Sequence, residues 1–283
     1  MRHKKFNLIA GDGTFLLGRF WVPDKKPRAA ICIVHGIGEH SKRYDAWARR
    51  FCEKGYVVYS VDLRGHGHSE GKRGHIKHLH NYLDDVNAMV RRAKRERDGL
   101  PLFIYGHSMG GNLVLNFLLE KRRDFKGAII TSPWLKLVDP PPLAFRKAAL
   151  FLDKIWPRLT FHSGIRSSQL TSDESMQAEA DEDELMHGKI SLRLFNELDR
   201  ASREPLRKAA RFSIPLFFSH GTSDQITDIN ATRELVDTIG EMAGFYEAEG
   251  ARHEVHREPG AFLLLDNITQ WIEKQLNKRY HDI

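Results

Sequence analysis

The chain has 283 residues, 41% hydrophobic and 29% charged, enough to bury the core of one large α/β domain or two small ones. That balance excludes global disorder, and no apolar run approaches the ~20 residues of a membrane span. A net charge of +7 points toward anionic partners, yet the densest run, Arg91-Arg92-Ala93-Lys94-Arg95-Glu96-Arg97, spreads around a helix rather than forming one stripe. No nucleic-acid module is visible, so no nucleic-acid partner is expected.

The basic start, Met1 to Asn7, leads into a polar turn with no apolar h-region, so no signal peptide is expected. Residues 6–9 and 14–22 read as a β-hairpin around Gly11-Asp12-Gly13. Residues 29–34 form a continuous apolar strand, as in a parallel sheet covered on both faces. A helix over 43–54, a strand over 56–61 and a helix over 81–97 follow. Strands over 102–105, 125–131, 214–219 and near 244–248 alternate with helices over 112–119, 229–239 and 261–277. This alternation predicts a mostly parallel, doubly wound sheet. Cys32 falls in a strand and Cys52 in a helix, both reading as buried thiols of a reducing cytoplasm.

One segment interrupts the alternation. Residues 135–205 separate two sheet strands, open on Pro140-Pro141-Pro142 and look mainly helical. Some 70 residues is too long for a bare loop in a compact domain. The segment reads as an inserted helical cap over the carboxyl ends of the strands, dividing the core into residues 1–134 and 206–283. On a helical wheel over 143–159, Phe145, Ala149, Leu152, Ile155, Trp156 and Leu159 oppose Arg146, Lys147, Lys154 and Arg158. Such a basic amphipathic helix would pack on the core, line an acyl site through Phe145, Leu152 and Ile155, or touch a lipid surface transiently.

The chemistry is carried by Gly106-His107-Ser108-Met109-Gly110-Gly111, set between a strand and a helix. Strand, G-x-S-x-G, helix holds a serine at the tip of a sharp turn. Glycines flank it because a Cβ there would clash with the neighbouring strand and helix. Ser108 is the expected nucleophile; it needs a base, and the base needs an orienting acid. In this topology the chain order is serine, acid, histidine. Asp224 follows the strand over 214–219, and His253 precedes the last helix. Asp139 is the rival acid; Asp228 is weaker, being placed to cap a helix. His256 competes with His253, which lies nearer the strand end.

The acyl-transfer oxyanion needs backbone donors. Met109 N–H would supply one, and Ile37 N–H, in His35-Gly36-Ile37-Gly38-Glu39-His40, the other, with Gly36 beside the substrate. Asp62-Leu63-Arg64-Gly65-His66-Gly67-His68-Ser69 would brace the site. His253-Glu254-Val255-His256 has the wrong spacing for a zinc helix, and His75, His78 and His80 lack completing ligands. Neither a metal nor any other cofactor is expected.

These pieces together resemble the α/β-hydrolases of the monoacylglycerol lipase and lysophospholipase type, within the serine aminopeptidase S33-like group. The matching stretches run from His35 to Tyr44, Asp62 to Gly71, Gly106 to Gly111, His220 to Asp224 and His253 to Glu258. The resemblance implies an α/β-hydrolase fold, Ser108, Asp224 and His253 as triad, Ile37 and Met109 as oxyanion donors, and a helical lid over an acyl tunnel. It implies a small lipid ester as substrate, monoacylglycerol first and lysophospholipid second; the cysteines predict a cytoplasmic protein, which the basic cap helix could bring to a membrane surface. Asp183 to Ser191 resembles the family's return from lid to core, with Glu184 where proline usually follows the aspartate. A short-chain or aryl carboxylesterase, a proline-type aminopeptidase using Glu39, and a catalytically silent binding module are the competing readings.

Overall fold

In the computed structural model the described residues are 1–120 and 125–278. The chain opens with antiparallel strands β1 (Arg2–Ile9) and β2 (Phe15–Val22), then β3 (Ala29–Val34), α1 (Asp45–Glu53), β4 (Tyr56–Val61), α2 (Leu79–Glu96), β5 (Leu102–His107), α3 (Met109–Glu120) and β6 (Gly127–Thr131). The intervening segment holds α4 (Leu143–Leu152), β7 (Thr160–His162), the short α5 (Ser167–Leu170), α6 (Glu174–Glu182), β8 (Lys189–Ser191), α7 (Leu192–Ala201) and α8 (Glu204–Arg207). The sheet resumes with β9 (Leu216–Gly221), α9 (Ile229–Ile239), β10 (Ala243–Ala248) and α10 (Ala261–Asn277).

The sheet order is β1-β2-β4-β3-β5-β6-β9-β10, parallel from β4 onward. β3, β4, β5, β6 and β9 are buried along their whole length, which is why their sequences are apolar runs rather than alternations. One core cluster includes Val86, Val114, Leu198 and Leu235 from α2, α3, α7 and α9; the other includes Phe51 and Ile268 from α1 and α10. Strand order reverses at β3: β4 lies on one side of it and β5 on the other. The carboxyl ends of β3 and β5 therefore flank the crevice where such sheets bind ligands.

Two expectations about the inserted segment need correction. The helix read over 143–159 ends at Leu152. Pro157 lacks the amide that the next turn needs and disfavours helical backbone at Trp156, so the chain turns and then extends as β7. The segment also carries a small antiparallel pair, β7 with β8, which the helical reading overlooked. Three-residue strands are too short to show a period of two.

Candidate active site

Ser108 occupies the single-residue step between β5 and α3 with φ at +54°, left-handed backbone that few side chains adopt. Its N–H donates to the Thr131 carbonyl at 3.0 Å, and its carbonyl accepts from Asn112 and Trp134 N–H at 3.1 and 3.0 Å. A Cβ on Gly106 would run into the Gly110 carbonyl, and one on Gly110 into the Val34 carbonyl. Those two glycines let the turn close against α3 and β3.

His253 Nε2 stands 2.8 Å from Ser108 Oγ, and its Nδ1 stands 2.7 Å from Asp224 Oδ2. The carbonyl of His253 accepts from Ser132 Oγ at 2.8 Å, which fixes the loop before α10. Asp224 closes the turn after β9, its Oδ1 accepting Ile226 and Thr227 N–H at 2.7 and 3.1 Å. Burial opposes the Asp224 charge, but His253 and His220 outweigh it and hold the carboxyl far below the usual carboxylate range. Burial likewise opposes charge on His253, yet Asp224 raises its pKa above the ordinary value of 6.5. Of the competing residues, Asp228 caps α9 by accepting Asn230 N–H at 2.9 Å, and Asp139 lies exposed at a cavity rim. His256 is buried with its ring stacked on Tyr44, centroids 4.9 Å apart.

The loop after β3 brings Gly36 and Ile37 against this group. Gly36 N–H donates to Glu39 Oε1 at 2.5 Å, and Tyr44 hydroxyl donates to the same oxygen at 2.8 Å. A Cβ on Gly36 would stand 3.3 Å from Ser108 Cβ. Among the described residues neither Ile37 N–H nor Met109 N–H has a hydrogen-bond partner. Met109 heads α3, so its amide belongs to the unpaired first turn of a helix, a favourable place for developing negative charge.

Two cavities meet at Ser108, both touched by Ile37, Ser163, Ile165 and Ile190. One, of about 610 Å³, has the more polar walls, with Arg166, Ser167, Ser168, Asp181 and His187 beside Leu170, Ala180 and Met186. The other, of about 200 Å³, is walled by Trp134, Leu137, Phe161, Phe195 and Ile226. Of the lining residues expected from sequence, Gly36 is in place. Phe145 stands behind the apolar wall, its ring 5.6 Å from Phe161 and 6.1 Å from Phe195. Leu152 packs half-buried on the core and Ile155 is 54% exposed; neither lines a cavity at Ser108. Ile155 lies past the end of α4, so the wheel does not apply to it, while Leu152 is on the helix but turns to the core. Phe161, Ile165, Phe195 and Ile226 escaped the sequence reading.

The histidines set aside as loop residues have ordinary partners. His75 Nδ1 lies 2.9 Å from Ser191 Oγ, His80 pairs with Glu120 at 3.2 Å, and His78 N–H donates to Asn81 at 3.0 Å. Among the described residues no group of three or more His, Cys, Asp or Glu side chains could hold a metal ion.

The profile of the serine aminopeptidase S33 family matches residues 25–260. The chain belongs to that family. This S33-family chain is 30% identical over 258 residues to a monoacylglycerol lipase of Mycolicibacterium smegmatis, covering 90% of this chain and 92% of that protein. It is 33% identical over 275 residues to an uncharacterized abhydrolase domain-containing protein of Dictyostelium discoideum, spanning 95% of this chain but only 29% of that protein's length. The crystal structure of Paleococcus ferrophilus monoacylglycerol lipase superposes with a TM-score of 0.84 at 26% identity, over 92% of this chain and 99% of that one. The fold is that of the α/β-hydrolases.

Proposed function

We propose that the protein hydrolyses carboxylic esters of single-chain lipids, monoacylglycerol first, through an acyl-enzyme on Ser108. The observation that carries this is the continuous Ser108–His253–Asp224 hydrogen-bond chain at the junction of an apolar and a polar cavity. An amphiphile fits that junction, with acyl chain in the apolar arm and alcohol head in the polar one. Kinship with monoacylglycerol lipases supports the same reading.

In the reaction His253 Nε2 takes the Ser108 hydroxyl proton as Oγ attacks the ester carbonyl. The oxyanion lies between the Ile37 and Met109 amides, donors fixed before the charge appears. His253 then passes the proton to the departing alcohol, and water repeats the sequence on the acyl-enzyme. Asp224 holds the imidazole in its Nδ1–H tautomer and stabilises the imidazolium.

Residues 135–205 act as a cap on a core made of 1–134 and 206–283. Its outer surface exposes Leu143, Leu150, Phe151, Ile155 and Trp156, each more than half accessible, beside the exposed Lys147, Lys154 and Arg158. Apolar side chains ringed by cations suit transient contact with an anionic lipid surface. Among the described residues no helix is long and apolar enough to cross a membrane.

A panel of esters graded by acyl length and head group tests the substrate. Monoacylglycerol should have the highest kcat/KM; a preference for acetyl or aryl esters would overturn the lipid reading. Trp156→Ala should weaken sedimentation with anionic vesicles, and unchanged sedimentation would overturn the surface contact.

A further inference from the structure

Asp224 faces two imidazoles. His253 Nδ1 lies 2.7 Å from its Oδ2, and His220 Nε2 lies 3.1 Å from the same oxygen. His220 sits on β9 and is fully buried. One neighbour fixes a hydrogen on Nε2. Nε2 faces the Thr227 carbonyl at 3.0 Å, which can only accept, so Nε2 carries the hydrogen. Nδ1 lies 2.9 Å from Thr232 Oγ1. The Nε2–H is therefore shared between the Thr227 carbonyl and the Asp224 carboxylate. Thr227 Oγ1 is 2.9 Å from Asp224 Oδ2, but it is also 3.2 Å from the Ser132 carbonyl and has one hydrogen to give. His220 lines neither cavity at Ser108 and takes no part in the proton transfers described above.

We propose that His220 is a positioning residue of the triad, holding the Asp224 carboxylate in the rotamer that serves His253. This rests on reading Ser108, His253 and Asp224 as the triad. Two consequences follow from the geometry. A carboxylate that loses a donor can swing about its last torsion, and misplacement of a catalytic group by an ångström costs on the order of 10²-fold in rate. The same carboxylate becomes a stronger base, pulls harder on the His253 Nδ1–H and stabilises the imidazolium. The acid limb of the pH profile then moves upward. Other titratable groups near His253 are His107 on β5, Glu39 after β3 and the adjacent Glu254; Glu247 on β10 pairs with His220 in the sheet. None of these changes in the variants below.

The test compares His220→Leu, which removes the donor, with His220→Gln, whose amide replaces Nε2–H. Rates on a soluble ester are measured against pH and expressed per site by fluorophosphonate titration. His220→Leu should lower kcat by roughly 10- to 100-fold, leave KM within about twofold, and raise the acid limb of kcat/KM by roughly half a unit or more. His220→Gln should recover most of kcat and the original limb. An unshifted limb in the leucine variant, or a glutamine variant as slow as leucine, overturns the proposal. If the leucine variant does not fold, His220→Asn, too short to reach Oδ2, takes its place with the same expectations. Asp224→Asn is run in parallel. Full activity there would overturn the triad reading itself, whereas an inactive Asp224→Asn beside an unshifted His220 variant would overturn only the role of His220.

Discussion

Arg43 Nη2 stands 2.8 Å from both carboxylate oxygens of Glu254, joining the loop after β3 to the loop that carries His253. Both side chains are almost fully buried, and Arg43 also lies 3.4 Å from Glu39. A buried cation shared by two carboxylates ties the loop of Ile37 to the loop of His253. Removing one member of a buried pair leaves an uncompensated charge, at a cost of about 3–5 kcal/mol. Arg43→Met should therefore cost that much in urea unfolding. The Arg43→Met/Glu254→Met double variant should be less destabilised than the sum of the singles. Strict additivity would show that the pair does not act as a unit.

His253 and His256 are three residues apart, and only His253 reaches Ser108. The rings of His253 and His256 both lie against His107, each with centroids 4.9 Å from it. Among the described residues neither ring nitrogen of His256 has a hydrogen-bond partner. Its role is packing, so His256→Phe should keep most of the activity. Ser108→Ala and His253→Ala should each lose about 10⁴-fold in kcat, and the double variant little more, because the two act together. A His256→Phe protein as inactive as His253→Ala would reverse the assignment.

The strands over 29–34 and 56–61 and the helices over 229–239 and 261–277 are found at those residues, because continuous apolar runs and strong amphipathic periods are local signals. The order of serine, acid and histidine was legible for a related reason: each stands just beyond a strand, and the sheet brings strand ends together. The apolar cavity at Ser108 was not legible. Phe161 comes from a three-residue strand, Phe195 from α7 and Ile226 from the turn after β9, and nothing local announces that they meet. His220 read as part of a motif, but its closeness to Asp224 depends on a turn closed by backbone amides. Ile155 was misplaced because one proline outweighs a helical pattern that continues past it, whereas Leu152 stays on α4 and packs on the core instead of at Ser108.

The buried histidines shift in two directions, and both shifts act on the acid side. Burial pushes the pKa values of His35, His66, His107 and His256 below the ordinary 6.5. In the unfolded chain these groups take up protons near pH 6.5, while in the native state they stay neutral. The unfolded state then binds more protons, so stability falls as pH drops below 6.5, by about 1.4 kcal/mol per pH unit for each such group. His253 shifts the other way and binds its proton first. Activity should therefore fall along an acid limb lying above pH 6.5, before the melting temperature declines. A kcat/KM profile flat down to pH 6 would exclude His253 as the base. A melting temperature unchanged between pH 7 and 5 would exclude the neutral buried histidines.

Gly38 couples the segment 135–205 to the loop after β3. Its φ is +74°, and a Cβ there would run into the His187 carbonyl, with the carbonyl carbon at 3.3 Å. His187 N–H in turn donates to the Gly38 carbonyl at 2.9 Å. Gly38→Ala must move either the cap or the segment carrying Ile37 N–H. Losing one oxyanion donor costs about 10²–10³ in kcat. Gly13, with φ at +87° and nothing within 4 Å of an added Cβ, is the control. Gly13→Ala should cost only the strain of left-handed backbone, about 1–2 kcal/mol of stability, with rate per active site unchanged. Equal rates in the two variants would sever the proposed link.

The apolar arm gives the sharpest prediction about substrate. Ile165 lines both cavities, sharing the apolar one with Phe161, Phe195 and Ile226. Each buried methylene is worth ~0.8 kcal/mol, close to fourfold in kcat/KM when the binding is realised in the transition state. Along a series of soluble esters of one alcohol, kcat/KM should climb by that factor per carbon and level off once the arm is full. Ile165→Trp fills space at the junction without adding charge. It should bring the plateau to a shorter chain while leaving the acetyl ester within about threefold of wild type, since a single methylene step is the scale at stake. The measurement is kcat/KM for acetyl through lauroyl esters, each below its aggregation limit. A wild-type profile that is flat or falls with length would reject the apolar arm as the acyl site. A plateau unmoved in Ile165→Trp would place the acyl chain elsewhere, with the polar cavity as the next region to block.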